Sequence, residues 1–284
     1  MSLPGVQVLA KFPSRVRDWA PRCTNTTCRK QTLKHIISRR YAGFFISGDW
    51  FCGPDCFEQV VRSRILALLS AQGQHEQPPS LRMPLGLLLV SREVLTTEQL
   101  RVVLDRQRVS GANIGDIVQE LGFGTQEQIT AAVATQWSCP VFSLQGRQLP
   151  TQIQIPLRLL ELYEMLPVHF SPNDRKLLVA FVSRVHYHIL HTIEYLTQCV
   201  ADPCFITPGD YHRYLKSVAS SVKENQALFE RSSSPAEIAH LVRNYAHQFA
   251  AEEARFGLCR DYLWARIRGG VRQMDLLFRV QSIQ

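Results

Sequence analysis

An α+β chain of several small domains is predicted from three observations. Four cysteines fall into two short pairs near the amino terminus, the middle repeats itself at a fixed offset, and the end passes from helical to β-like periodicity. The divisions expected are a cysteine-rich module at 1–70, a linker at 71–80, a duplicated helical unit at 81–145, an α/β unit at 146–225 and a helix with a β-hairpin at 232–284. At 284 residues, with 45% apolar and 20% charged side chains, the chain has enough apolar material to bury a core. The apolar run "LGLLLV" (85–90) falls far short of the roughly 20 residues that cross a bilayer, so no membrane insertion is expected. The basic start lacks an apolar segment and a small-residue cleavage site, which predicts a cytoplasmic protein. In that compartment thiols stay reduced and paired cysteines suggest metal before disulfide.

The first pair lies in "PRCTNTTCRK" (21–30) as Cys23 and Cys28, the second in "DWFCGPDCFEQVV" (49–61) as Cys52 and Cys56. Two chelating loops separated by a hairpin supply the four soft ligands that zinc takes in a tetrahedron. "RRYAGFFISGDWFC" (39–52) has the aromatic residues and glycines of a short hairpin. Gly53-Pro54-Asp55 marks a helix start, and Val60, Val61, Ile65, Leu68 and Leu69 continue it at helical spacing. Knuckle, hairpin and helix in this order resemble a treble-clef zinc finger. Four thiolates leave no place for water, so the zinc is expected to be structural. Cys139, Cys199, Cys204 and Cys259 show no such pairing and are expected as apolar thiols. "AQGQHEQPPS" (71–80) breaks the pattern and predicts a linker.

The duplication places 84–107 over 113–136 at an offset of 29. Leu85-Gly86 falls over Ile114-Gly115, Leu89 over Val118, Leu100 over Ile129, Leu104 over Val133 and Gln107 over Gln136. Thr96 and Thr125 each stand where a second helix should be capped. Two helix pairs therefore make a four-helix unit. "WSCPVFSL" (137–144) is expected as a strand leaving it. Then follow a helix at 156–164, strands near 165–170 and 176–182, a helix near 185–197, a strand near 203–206 and a helix from Asp210.

From about 84 to 220 these residues resemble the amino-terminal domain of type II secretion (GspE) and type IV pilus assembly ATPases, of the MshEN type. Its repeated motif is R-L-G-x-x-L-V-x-x-G followed by L-x-x-x-L-x-x-Q. The resemblance implies a cyclic di-GMP site in copies with the full motif, with arginines meeting bases and phosphates. Here the residues carried over are Leu85, Gly86, Leu89, Gln107, Ile114, Gly115, Asp116, Val118 and Gln136. Both motif arginines are missing, replaced by Pro84 and Asn113, and Glu93 stands where the second copy keeps Gly122. A carboxylate there opposes a dianionic ligand, and the lost guanidinium forks are the phosphate-binding groups. Most of the surviving residues are equally those of helix packing. No G-x-x-x-x-G-K-[ST] occurs, so the phosphate cradle of a motor is missing.

In the carboxyl-terminal piece Ser234, Pro235 and Glu237 spell a capped helix start. Ile238, Leu241, Tyr245, Phe249 and Phe256 form its expected apolar stripe, with Gly257 as the stop. Gly269-Gly270 between two β-like runs predicts a hairpin over 262–280. "VHYHILH" (185–191) spaces His188 and His191 for one helix face, but without a third ligand they are expected as solvated or packed histidines. No catalytic constellation can be assembled, so no enzyme is expected.

Charge is uneven. Residues 1–68 hold 11 Lys/Arg against 4 Asp/Glu, a net of +7, whereas 69–230 carry −2 and 231–284 carry +3. The leading expectation is a non-enzymatic cytoplasmic adaptor or regulatory protein that contacts a secretion or pilus component or a signalling partner and holds zinc. Two alternatives stay open at this level. One is a cyclic di-GMP receptor; the other is a nucleic-acid-binding regulator using residues 1–70, with Arg29, Lys30, Lys34, Arg39 and Arg40.

Overall fold

The computed structural model describes residues 22–28, 43–71, 82–221 and 225–280. The interval 29–42, with Arg29, Lys30, Lys34, Arg39 and Arg40, lies outside the described residues, as does nearly all of the expected linker.

Among the described residues the first strands form a two-stranded hairpin, β1 (Phe44–Ile46) and β2 (Asp49–Phe51). Its turn residues Ser47 and Gly48 both take positive φ, 56° and 83°, which matches the right-handed strand twist. Helix α1 (Pro54–Ser70) follows from Gly53 with proline in its first turn, and buries Phe57, Val61, Ile65 and Leu69 as one i, i+4 stripe.

Four helices form the duplicated unit: α2 (Leu85–Ser91), α3 (Thr97–Ser110), α4 (Ile114–Glu120) and α5 (Gln126–Trp137). Thr96 and Thr125 each close a capping box, with Gln99 and Gln128 bonding back to the cap backbone. The units embrace each other crosswise: α2 packs on α5 and α3 on α4. Leu88, Leu89, Leu95, Val103, Ile117, Val118 and Ala132 fill the space between them.

The α/β part comprises α6 (Leu157–Leu162), β3 (Met165–Ser171), β4 (Lys176–Phe181), α7 (Tyr187–Thr197), β5 (Val200–Phe205) and α8 (Pro208–Ser221). Its sheet runs β3-β4-β5, antiparallel for the first pair and parallel for the second, where α7 makes the crossover. The strand expected over 137–144 reduces to a single bridge, Val141 to Phe205. Helix α5 runs on to Trp137, and Pro140 removes a backbone donor from the segment that follows.

The end of the chain forms β6 (Gln226–Phe229), α9 (Pro235–Gln248), β7 (Glu253–Cys259), β8 (Tyr262–Gly269) and β9 (Arg272–Arg279) in a sheet of order β6-β9-β8-β7. The capped start at Ser234 and the hairpin at Gly269-Gly270 stand where the sequence puts them. The helix is shorter than the apolar stripe implies. It ends at Gln248, and Phe256 and Gly257 lie in β7. In "EARFGLC" the buried Ala254 and Phe256 alternate with half-buried neighbours, a period of two that coincides by chance with the helical stripe at Phe256. Gly257 is there because a side chain would collide with Thr192 and Leu196 of α7.

One face of this sheet packs on α9 and α1, where Ile238, Val242, Leu263, Ile267 and Phe278 join Phe57, Val61 and Ile65 in one cluster. The other face supplies Tyr262, Trp264 and Leu277 to the larger core around β3–β5. Within that second face Arg266 and Asp275, each 2% exposed, pair at 2.7 Å (Nε to Oδ1) and 3.0 Å. Trp264 Nε1 donates to Asp275 Oδ1 at 2.7 Å, and the Arg266 guanidinium also donates to the Gln154 carbonyl. Both charges are thus compensated and hydrogen-bonded, as burial demands.

Candidate metal centre and repeat motif

The Sγ atoms of Cys23, Cys28, Cys52 and Cys56 all lie within 4.8 Å of one another. Cys28 and Cys52 approach to 3.6 Å, Cys52 and Cys56 to 3.5 Å. Sulfurs about 2.3 Å from a tetrahedral zinc stand roughly 3.8 Å apart, so this donor set fits that ion. The geometry comes from three pieces of local structure. The first cysteines ride on a turn closed by Cys28 N–H to Asn25 O at 3.1 Å, and Thr24 N–H to Trp50 O at 2.9 Å ties it to β2. Cys52 follows β2, and Cys56 sits in the first turn of α1.

Asn25 is a residue that spacing does not single out. It is 4% exposed, accepts from Thr27 N–H at 3.0 Å and Thr27 Oγ1 at 2.8 Å, and donates to Gln59 Oε1 at 2.7 Å. An asparagine two positions after the first cysteine is the signal that could have found it, since its side chain makes the Asx turn that folds the knuckle. Burial pushes the Cys52 thiol up and the Cys56 thiol up to about 12. A divalent ion bound by the four sulfurs would stabilise their thiolate forms. Cys199, Cys204 and Cys259 are buried singly, and Cys139 is half-buried.

The repeat motif is engaged from within. A Cβ on Gly86 would stand 2.6 Å from Leu100 Cδ1, and one on Gly115 3.0 Å from Ile129 Cγ2. These are the same positions of the two copies, so each glycine seats its own unit's second helix. Leu89 and Val118 are fully buried between the units. Gln107 Nε2 donates to Ala112 O at 3.2 Å, and Gln136 Nε2 to Met83 O at 2.7 Å. Ala112 and Met83 are themselves 29 apart, so each glutamine fastens the entrance of the opposite copy and the pair obeys an internal two-fold relation. Asp116 contacts Asn113 Nδ2 at 3.3 Å, while Leu85 and Ile114 pack half-buried against the helical core. Glu93 and Gly122 both have positive φ, 60° and 68°.

His188 and His191 do not converge. His188 Nε2 meets Tyr163 Oη at 2.9 Å, and His191 Nδ1 meets Glu194 at 3.1 Å. Among the described residues no helix is long and apolar enough to cross a membrane.

No family model matches the chain. It is 23% identical over 121 residues to the type IV pilus assembly ATPase PilB of Thermus thermophilus, a match covering 42% of this chain and 14% of that protein. The chain thus spans about a seventh of the length of that relative. Among solved structures, MshE with cdg aligns at a TM-score of 0.42 and 21% identity, covering 48% of this chain and 99% of that one. The amino-terminal domain of XpsE aligns at a TM-score of 0.38 and 14% identity, covering 46% and 91%. The chain is thus similar over about half of its length to MshE and to the amino-terminal domain of XpsE, and over 121 residues to a type IV pilus assembly ATPase.

Proposed function

We propose that this chain is a non-enzymatic adaptor or regulatory protein, cytoplasmic, related to the amino-terminal domain of secretion and pilus ATPases and carrying a structural zinc on Cys23, Cys28, Cys52 and Cys56. Its partner is a protein, a component of a secretion or pilus machine or of its signalling. The observation that carries this reading is the use of the repeat motif for internal packing. Gly86 and Gly115 lie under Leu100 and Ile129, and the polar ends of Gln107 and Gln136 are bonded to main-chain carbonyls. With the motif arginines absent, nothing in this set supplies positive charge to a phosphate. An all-sulfur donor set closes the coordination sphere and supports a scaffolding role for the metal.

Calorimetric titration of the purified chain with cyclic di-GMP, with GTP as control, tests the reading. Absence of heat up to millimolar ligand is the expected result. Saturable micromolar binding would overturn it in favour of a second-messenger receptor, in which Leu85, Gly86, Ile114, Gly115 and Asp116 suffice without arginine. Elemental analysis is expected to return one zinc per chain, and Cys52→Ser to lose it. The nucleic-acid reading has no observation in its favour among the described residues.

A further inference from the structure

The two ends of the described chain close on each other. In the described part of the finger, 22–28 and 43–71, the buried apolar side chains apart from cysteines are Ile46, Phe51, Phe57, Val61, Ile65 and Leu69, and all of them belong to the cluster shared with the carboxyl-terminal sheet. Its helix α1 buries Phe57, Val61, Ile65 and Leu69 in the same cluster as Ile238, Ala239, Val242 and Ala246 of α9. A polar seam runs beside this core. Ser47 N–H donates to Glu252 O at 2.8 Å, Ser47 Oγ donates to Ala254 O at 3.1 Å, and Ala254 N–H donates to Ser47 Oγ at 3.0 Å. The turn of the finger hairpin thereby covers the outer edge of β7, which would otherwise be an open sheet edge. Arg243 of α9 reaches Glu58 of α1 at 2.8 Å, and Asp55, one residue before Cys56, at 3.5 Å.

We infer that the metal centre is the clasp of the carboxyl-terminal sheet: loss of metal from the four cysteines releases α9 and the β7 edge while the repeat and the β3–β5 unit stay folded. The inference rests on the zinc reading above. Metal binding to such a module is folding free energy, and a shared core passes it to whatever packs there. The selectivity follows from the other two apolar clusters, neither of which contains a residue of 43–71. Tyr262, Trp264 and Leu277 hold the opposite face of the sheet on the larger core, so release is confined to the side that α1 covers. What it uncovers is the α9 surface that faced α1 and an unpaired strand edge.

Hydrogen exchange read by mass spectrometry on the full chain, zinc-loaded and after chelation, tests the inference. Chelation is expected to speed exchange at least about tenfold in 54–70 and 235–254, with 85–137 and 157–205 unchanged. Zinc that is present, is stripped, and leaves 235–254 as protected as before would overturn the clasp and leave the zinc site standing. A chain that neither contains nor takes up zinc would overturn both, and loss of protection everywhere would overturn the selectivity. Linkage supplies a second measurement that spares the cysteines. Loosening α9 by Val242→Ala is expected to weaken zinc affinity by about tenfold in equilibrium competition with a chromophoric chelator. An unchanged affinity in a variant that folds and binds zinc would refute the coupling alone.

Discussion

Glu93→Gly is expected to stabilise the protein. Glu93 follows α2 with φ of 60°, and Gly122 follows α4, 29 residues on, with φ of 68°. The same turn is thus built twice, once with the residue suited to it and once without. An L-residue in the left-handed region costs about 1–2 kcal/mol. Glycine returns part of this, because it has more freedom to lose from the unfolded chain, roughly 0.5–1 kcal/mol. The Glu93 side chain is exposed and forms no ion pair among the described residues, so little is lost with it. The net gain is about 0.5–1 kcal/mol, near 2 °C in Tm for a chain of this size. Urea denaturation followed by circular dichroism reads it as a raised midpoint at constant slope. Gly122→Ala is the mirror experiment and is expected to lose about 1 kcal/mol. A Glu93→Gly variant of equal or lower stability would sink the argument, since the turn would then owe its shape to something other than backbone strain.

The other predictions concern the carboxyl-terminal sheet and α7. Gly269→Ala drives a Cβ into the Phe249 carbonyl oxygen, backbone against backbone; a loss of about 3 kcal/mol or more is expected by chemical denaturation. Asp275→Ala leaves the Arg266 guanidinium buried without its counter-ion and should cost about 3–5 kcal/mol, whereas a simultaneous Arg266→Met change should recover much of it. His186 is held near 4 rather than 6.5 by desolvation first, then by the Arg184 and Arg260 charges. Its neutral form is favoured by folding, so its contribution is whole above pH 6.5, is lost as pH falls toward 4, and levels off below. The slope is at most about 1.4 kcal/mol per pH unit, reduced by partial solvent exposure. Thermal melts across pH 4–7 should show wild type losing stability relative to His186→Gln as pH falls, and parallel curves would refute the assignment.

The parts legible in the sequence were those fixed by local chemistry. Thr96, Thr125 and Ser234 announce helix starts because a cap is a contact within four residues, and all three close capping boxes in the structure. Gly269-Gly270 announces a hairpin for the same reason. The four cysteines assemble because each pair is chelating at short range and a hairpin is enough to join the two pairs. What escaped were features decided by distant neighbours. Strand β7 takes its place because β8 pairs along one edge and α7 packs against it, and Gly257 is explained by Thr192 and Leu196, some 60 positions earlier. The reach of α1 to α9 is likewise invisible to periodicity, since each helix shows an apolar stripe without saying which stripe it meets.

The repeat motif sharpens that distinction. Leucine, glycine and glutamine at fixed spacing carry the resemblance to a known motif, but the same letters are what two interlocked helix pairs need in order to fold. Gly86 and Gly115 are small because Leu100 and Ile129 press on them, and Gln107 and Gln136 are polar because the carbonyls of Ala112 and Met83 require a donor. Such residues persist whether or not a ligand binds. The arginines are the members of the motif for which this helical core has no packing need, and they are the members this chain lacks. In a motif of mixed purpose the informative positions are those the fold can do without, and here those two positions hold Pro84 and Asn113, neither of which brings a positive charge to a phosphate.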